Sequence, residues 1–193
     1  KKIHFSSKVQ THIGYFQNWN LVEKTFDLYR NELDKALENI SLIDLDQIDF
    51  KNVVVIHIRR GDYLNPSNSF GILTPEYYLK ALELIPEHEN KSKIIVTDDP
   101  IHIKDIESKL NPNLVLGPDQ LSAWQTLKLI SMSKYFILAN STLSWWGAYL
   151  AKSYDSNAVC IIPSPWFRDL NMGVEAAFEH PSFVCCESDF LEI

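Results

Sequence analysis

A chain of 193 residues, 46% hydrophobic and 22% charged, has the composition of an ordinary globular protein. That length suits one large domain, or one domain with an appended piece. The net charge of −7 repels nucleic acid and anionic membranes, so any anion-binding site must be local. Three cysteines (Cys160, Cys185 and Cys186) form neither a disulfide framework nor a zinc pattern, which points to a reducing compartment. No apolar run reaches the length of a membrane span.

Residues 1–19 read as an extended start that includes the aromatic stretch "GYFQNW". Over residues 20–40, the spacing of Leu21, Phe26, Leu28, Leu33 and Leu37 predicts an amphipathic helix with Asn20 as its cap. "VVVIHI" (53–58) predicts a buried strand, and "PEYYLKALELI" (75–85) a helix with Pro75 in its first turn. Strand and helix then alternate, at 93–99 and 100–110, at 113–116 and 121–133, and at 135–140 and 141–152. A fifth strand is predicted at 158–163, and beyond it, with Pro165 and Pro181, the chain reads as irregular.

Strands that are apolar on both faces and alternate with helices predict an α/β fold, a parallel sheet covered by helices on both faces. The segment 1–48 is expected to belong to, or lead from, a preceding domain, and 49–193 to form a Rossmann-like domain. In such open sheets ligands bind at the carboxyl ends of the strands. The polar clusters fall at three of those ends: "HIRRGD", "TDD" and "NSTLS".

Arg59 and Arg60 follow the first strand, and a guanidinium fork can give two parallel hydrogen bonds to the oxygens of a phosphate. "NSTLS" opens a helix, whose free N–H groups and hydroxyls favour the same ligand. Taken alone, Ser141 or Thr142 is an N-cap; together with the two arginines they resemble the jaws of a diphosphate clamp. No Walker sequence or G-x-G-x-x-G occurs. Asp98 and Asp99 fit three roles: a divalent cation, hydrogen bonds to a ligand base or sugar, or a helix start. No third carboxylate stands nearby in sequence, which disfavours the metal. Arg60-Gly61-Asp62 also spells an adhesion tripeptide, but the apolar strand before it predicts a fixed, recessed turn rather than an exposed loop.

In this order, "HIRRGDY", "VTDDP" and "ANSTLSWWGAYLA" resemble the α-1,2-fucosyltransferases of glycosyltransferase family 11, from about residue 12 to residue 167. The resemblance implies the C-terminal half of a GT-B enzyme. Such an enzyme transfers fucose from GDP-fucose to the 2-hydroxyl of a galactoside, with inversion and with no metal or cofactor. By that likeness Arg59 would grip the diphosphate, Arg60 would support it, and His57 would lie by the ribose or phosphates. Asn140, Ser141, Thr142 and Ser144 would line the opposite jaw, with Asp98 and Asp99 beside the donor, while Trp145 and Trp146 pack the helix on the sheet. Asp62 is the base candidate by position, against a favoured alternative of an arginine ion pair. The implied partners are GDP-fucose and a galactose-terminated glycan, at the cytoplasmic face of a bacterial membrane with peripheral association. The alternative is a non-catalytic module that binds a nucleotide sugar or another anion.

The chain departs from the family pattern twice. The opening Gly-Gly-Leu-Gly-Asn-Gln element is absent, so most of the first Rossmann-like domain is expected to lie outside these residues. Many members carry Glu-Asp or Gln-Asp where this chain has Gln125-Thr126, which puts an uncharged hydroxyl where guanine would be read.

Overall fold

Six residues in succession, Val53–Ile58, form strand β1, and every one of them is buried. A strand buried on both faces must be central, and β1 is. It pairs in parallel with β2 (Ser92–Thr97) on one side and with β4 (Tyr135–Ile137) on the other. The computed structural model describes residues 17–42, 45, 47–64, 69–172 and 175–192. With β3 (Leu114–Leu116), β5 (Val159–Ser164) and β6 (Val184–Glu187), the strands run in the order β3-β2-β1-β4-β5-β6, all parallel. This is the order of a doubly wound sheet, in which the winding reverses between β1 and β4.

Alternation along β1 divides the core. Val54, Ile56 and Ile58 pack with α3 (Pro75–Glu83) and α4 (Lys104–Leu110), through Tyr77, Ala81, Ile106 and Leu110. Val53 and Val55 face the other side, with α5 (Ala123–Ser131) and α6 (Thr142–Tyr154). These two helices pack closely because Gly147 has no Cβ; one would collide with Ile130 Cγ2. Trp145 is fully buried on this face, with its Nε1 donating to the carbonyl of Phe178 at 2.9 Å. Trp146 packs against the same core, so both tryptophans hold the helix in place as expected.

Three expectations are corrected. The helix expected over 20–40 is two helices, α1 (Trp19–Thr25) and α2 (Arg30–Glu38), with a 3-10 turn at Phe26–Leu28 between them. Its cap is Asn18, whose side chain accepts the N–H of Leu21 at 3.2 Å, and not Asn20, which is the second residue of the helix. With that break, Val22, Phe26 and Leu37 turn into the core and Leu28 turns to solvent. The C-terminal part is not wholly irregular, because β6 extends the sheet beyond β5. Only one of its four residues is buried, so it lacks the apolar run that marks a central strand.

Val22, Phe26, Leu37, Leu42 and Leu45 share one core with β1, so this N-terminal stretch packs onto the sheet itself. Residues 1–16, including Tyr15 and Phe16 of the aromatic stretch, lie outside the described residues. Among the described residues no helix is long and apolar enough to cross a membrane.

Candidate functional site

The register of the sheet builds the site. Ile58 of β1 lies beside Thr97 of β2, so the next residues, Arg59 and Asp98, leave the sheet side by side. Asp98 then holds the turn: its Oδ1 accepts the N–H of Arg60 at 2.9 Å and its Oδ2 that of Gly61 at 3.1 Å. The approach is so close that a Cβ on Gly61 would stand 2.7 Å from Asp98 Oδ2. Asp98 Oδ2 also pairs with Arg59 Nε at 3.1 Å.

The period of two that divides the core also separates the two arginines. Arg59 continues the face of Val55 and His57 and lines a cavity of about 180 Å³ at the strand ends. Its Nε donates to Asp62 at 3.1 Å, and Nη2 lies 3.0 Å from the same oxygen. Nη1 has no hydrogen-bond partner among the described residues. Burial disfavours the guanidinium charge, but Asp98 and then Asp62 outweigh it and hold the Arg59 pKa above its ordinary value.

Arg60 continues the opposite face, toward α4. It is only 6% exposed, and it donates to the carbonyl of His102 at 2.5 Å and to Asp105 at 3.1 Å. It is not among the residues that line the cavity. The buried guanidinium likewise rules out the adhesion tripeptide, which needs an exposed arginine.

His57 is buried, lines the cavity, and meets the Ser144 hydroxyl through Nδ1 at 2.5 Å. Burial, with a smaller push from Arg59, lowers its pKa to about 3, so the ring is neutral at physiological pH. Ser144 also accepts the N–H of Ala139 at 3.2 Å and has no exposed surface. Thus β1 and the first turn of α6 are joined across the point where the sheet reverses.

The other predicted residues divide between site and scaffold. Ser141 caps α6 without a side-chain capping bond, and Thr142 donates to Gln17 Oε1 at 3.1 Å. Asn140 is buried and its Nδ2 donates to the carbonyls of Phe70 and Gly71, both at 3.1 Å, so it pins the chain ahead of α3. Asp99 accepts from His102, by Nδ1 at 2.6 Å and by the backbone N–H at 3.3 Å, and so holds the turn ahead of α4, whose N-cap is Ile103 without a side-chain capping bond. Asp62 is engaged with Arg59 as the ion-pair alternative held. Gln125 completes the capping box of α5 with Ser122 and donates to the carbonyl of Ser41 at 2.9 Å, while Thr126 lines the cavity.

Thr97 and Leu143, also in the lining, stand inside the "TDD" and "NSTLS" clusters without having been named singly, and sequence reasoning missed Val96, Gly117, Pro118, Leu121 and Ala123. The strand-end rule, extended to "LGPDQ" after β3, would have found Gly117 and Pro118. A second hollow of about 270 Å³, lined by Leu21, Val22, Thr25, Tyr29 and Trp146, carries no charged group.

The model of glycosyl transferase family 11 matches residues 1–182. The chain belongs to this family. The family 11 match takes in both the turn after β1 and the start of α6. An α-1,2-colitosyltransferase from Escherichia coli is 33% identical over 185 residues, covering 87% of this chain and 60% of the relative. An O-antigen biosynthesis glycosyltransferase, WbnK, from the same species is 29% identical over 169 residues, covering 82% and 55%. This family 11 chain therefore spans little more than half the length of these curated relatives.

Proposed function

We propose that the protein carries the donor-binding half of an inverting, metal-independent glycosyltransferase. The reaction we assign moves fucose from GDP-fucose to the 2-hydroxyl of a galactoside in a glycan. The observation that carries this reading is Arg59, a half-buried cation that lines a cavity shared with Leu143 of the first turn of α6, and whose Nη1 has no partner among the described residues. Glycosyl transfer builds negative charge on the departing diphosphate. A guanidinium fixed by Asp98 and Asp62 is already oriented for that charge, and preorganised donors of this kind are typically worth about 100-fold or more in rate.

Family membership supports transfer of a sugar from a nucleotide donor. The relative that transfers colitose supports a fucose-like sugar, since colitose is fucose without its 3-hydroxyl. Metal independence rests on the carboxylates: both oxygens of Asp98 hold the turn, and Asp99 holds His102.

The test is calorimetric titration with GDP, GDP-fucose, GDP-colitose and UDP, followed by transfer to a galactoside by the whole protein with and without EDTA. GDP binding tighter than UDP, and transfer that survives EDTA, are expected. Equal affinity for UDP would overturn the guanine assignment, and a magnesium-restored loss in EDTA would overturn metal independence.

A further inference from the structure

Resting on the donor-site reading above, we propose that Ser144 is a positioning residue that locks His57 as its Nε2–H tautomer, so that the ring offers one N–H to the anionic end of the donor. Ser144 was expected to touch the ligand itself. Its surroundings give it a different task.

The argument is an accounting of protons. The Ser144 oxygen has two neighbours among the described residues, the N–H of Ala139 at 3.2 Å and Nδ1 of His57 at 2.5 Å. A main-chain N–H can only donate, so it occupies a lone pair of the hydroxyl. The hydroxyl's own proton then has one acceptor within reach, which is Nδ1. If Nδ1 carried the proton instead, the hydroxyl would keep a donor with no acceptor in a fully buried place, which folded proteins avoid.

With Nδ1 accepting, the neutral ring must hold its proton on Nε2. That nitrogen has no hydrogen-bond partner among the described residues, and His57 lines the cavity beside Arg59. The charged group that acts on the ring is Arg59, which opposes a second proton, and Asp98 lines the same cavity. The result is a donor without a net charge, which strengthens contact with an anionic oxygen and adds no repulsion toward Arg59. It also links the two family segments chemically: the hydroxyl of α6 decides which atom of β1 can donate.

The decisive measurement needs no ligand. Long-range proton–nitrogen correlation spectra of ¹⁵N-labelled protein at neutral pH, with the His57 signals identified by their loss in His57→Gln, should show the Nε2–H pattern. In Ser144→Ala this pattern should give way to Nδ1–H or a mixture, and GDP affinity should fall roughly tenfold, the scale of one lost hydrogen bond to a charged group. His57→Gln, whose amide nitrogen falls near Nε2, should keep more GDP affinity than His57→Asn, whose amide nitrogen falls near Nδ1. An Nδ1–H pattern in the wild type overturns the proposal, as does unchanged tautomer and affinity in Ser144→Ala, or His57→Asn binding as well as His57→Gln. If Ser144→Ala does not fold, the wild-type spectrum still decides. Failure of the wild type to bind GDP would defeat the donor-site reading and leave the tautomer measured on its own.

Discussion

Asp98, at the end of β2, holds Arg59, at the end of β1: Oδ2 lies 3.1 Å from Nε, while both carboxylate oxygens accept backbone N–H groups from the same turn. One side chain thus sets the path of the turn and the direction of its cation. Asp98→Ala is expected to lower stability by about 2–4 kcal/mol, because two partly buried N–H groups lose their acceptor. Urea denaturation checks the stability, and GDP titration should show a further loss of affinity from the misdirected Arg59.

Arg59→Ala should behave in the opposite way. Its ion pairs are partly exposed, and pairs of this kind contribute up to about 1 kcal/mol, so the fold should hold. Turnover by the whole protein should fall by about 100-fold or more, since a donor to the leaving group is lost. Arg59→Lys should rescue little, because a point charge cannot reach Asp98, Asp62 and a ligand with one planar fork. Steady-state kinetics beside thermal melting separates the two effects.

Arg60→Met should lower stability without a matching loss of affinity. The guanidinium spans the carbonyl of His102 and the carboxylate of Asp105, on the face of the sheet opposite Arg59. Losing those bonds is expected to cost about 1–3 kcal/mol in chemical denaturation. GDP affinity should change by less than about tenfold. An affinity loss as large as that of Arg59→Ala would return Arg60 to the donor site.

Gly61→Ala tests the close approach itself. The added methyl would meet Asp98 Oδ2 at 2.7 Å, so the carboxylate or the turn must shift. Overpacking of this sort costs about 1–3 kcal/mol, and GDP affinity should fall with it. Calorimetry and thermal melting on one sample measure both.

Stability should also depend on pH through His57. Its folded pKa, lowered to about 3 by burial and then by Arg59, lies below the unfolded value of about 6.5. Between those values the unfolded chain takes up a proton that the folded one refuses. Stability is therefore fully retained above about pH 6.5 and lost as pH falls toward 3, at up to about 1.4 kcal/mol per unit. Urea midpoints at about pH 7.5 and about pH 5 should differ for the wild type, and His57→Gln should flatten the difference.

Much of this protein is legible in its sequence alone. The apolar runs that form β1, β2, β4 and β5 are largely buried on both faces, and a strand of that kind has no other stable place than the middle of a parallel sheet. The polar clusters at their carboxyl ends are equally plain, because strand ends and helix starts are marked by local chemistry: the hydroxyl caps Thr74 and Ser122, and the fixed backbone of Pro75. Tertiary structure decides what depends on neighbours distant in the chain. The edge strand β6, mostly exposed, is specified by pairing with β5 rather than by its own pattern. The same holds for the break between α1 and α2, where packing of Phe26 against the core overrides a single helical stripe. Arg59 and Arg60 are adjacent and chemically identical. Only the direction of the strand before them, set by which helices cover each face, sends one to the cavity and the other to α4. Ser144 is the same case. Its place in α6 can be read from the sequence, but its partner His57 comes from the sheet, where β4 lies directly against β1 although β2 and β3 intervene in the chain.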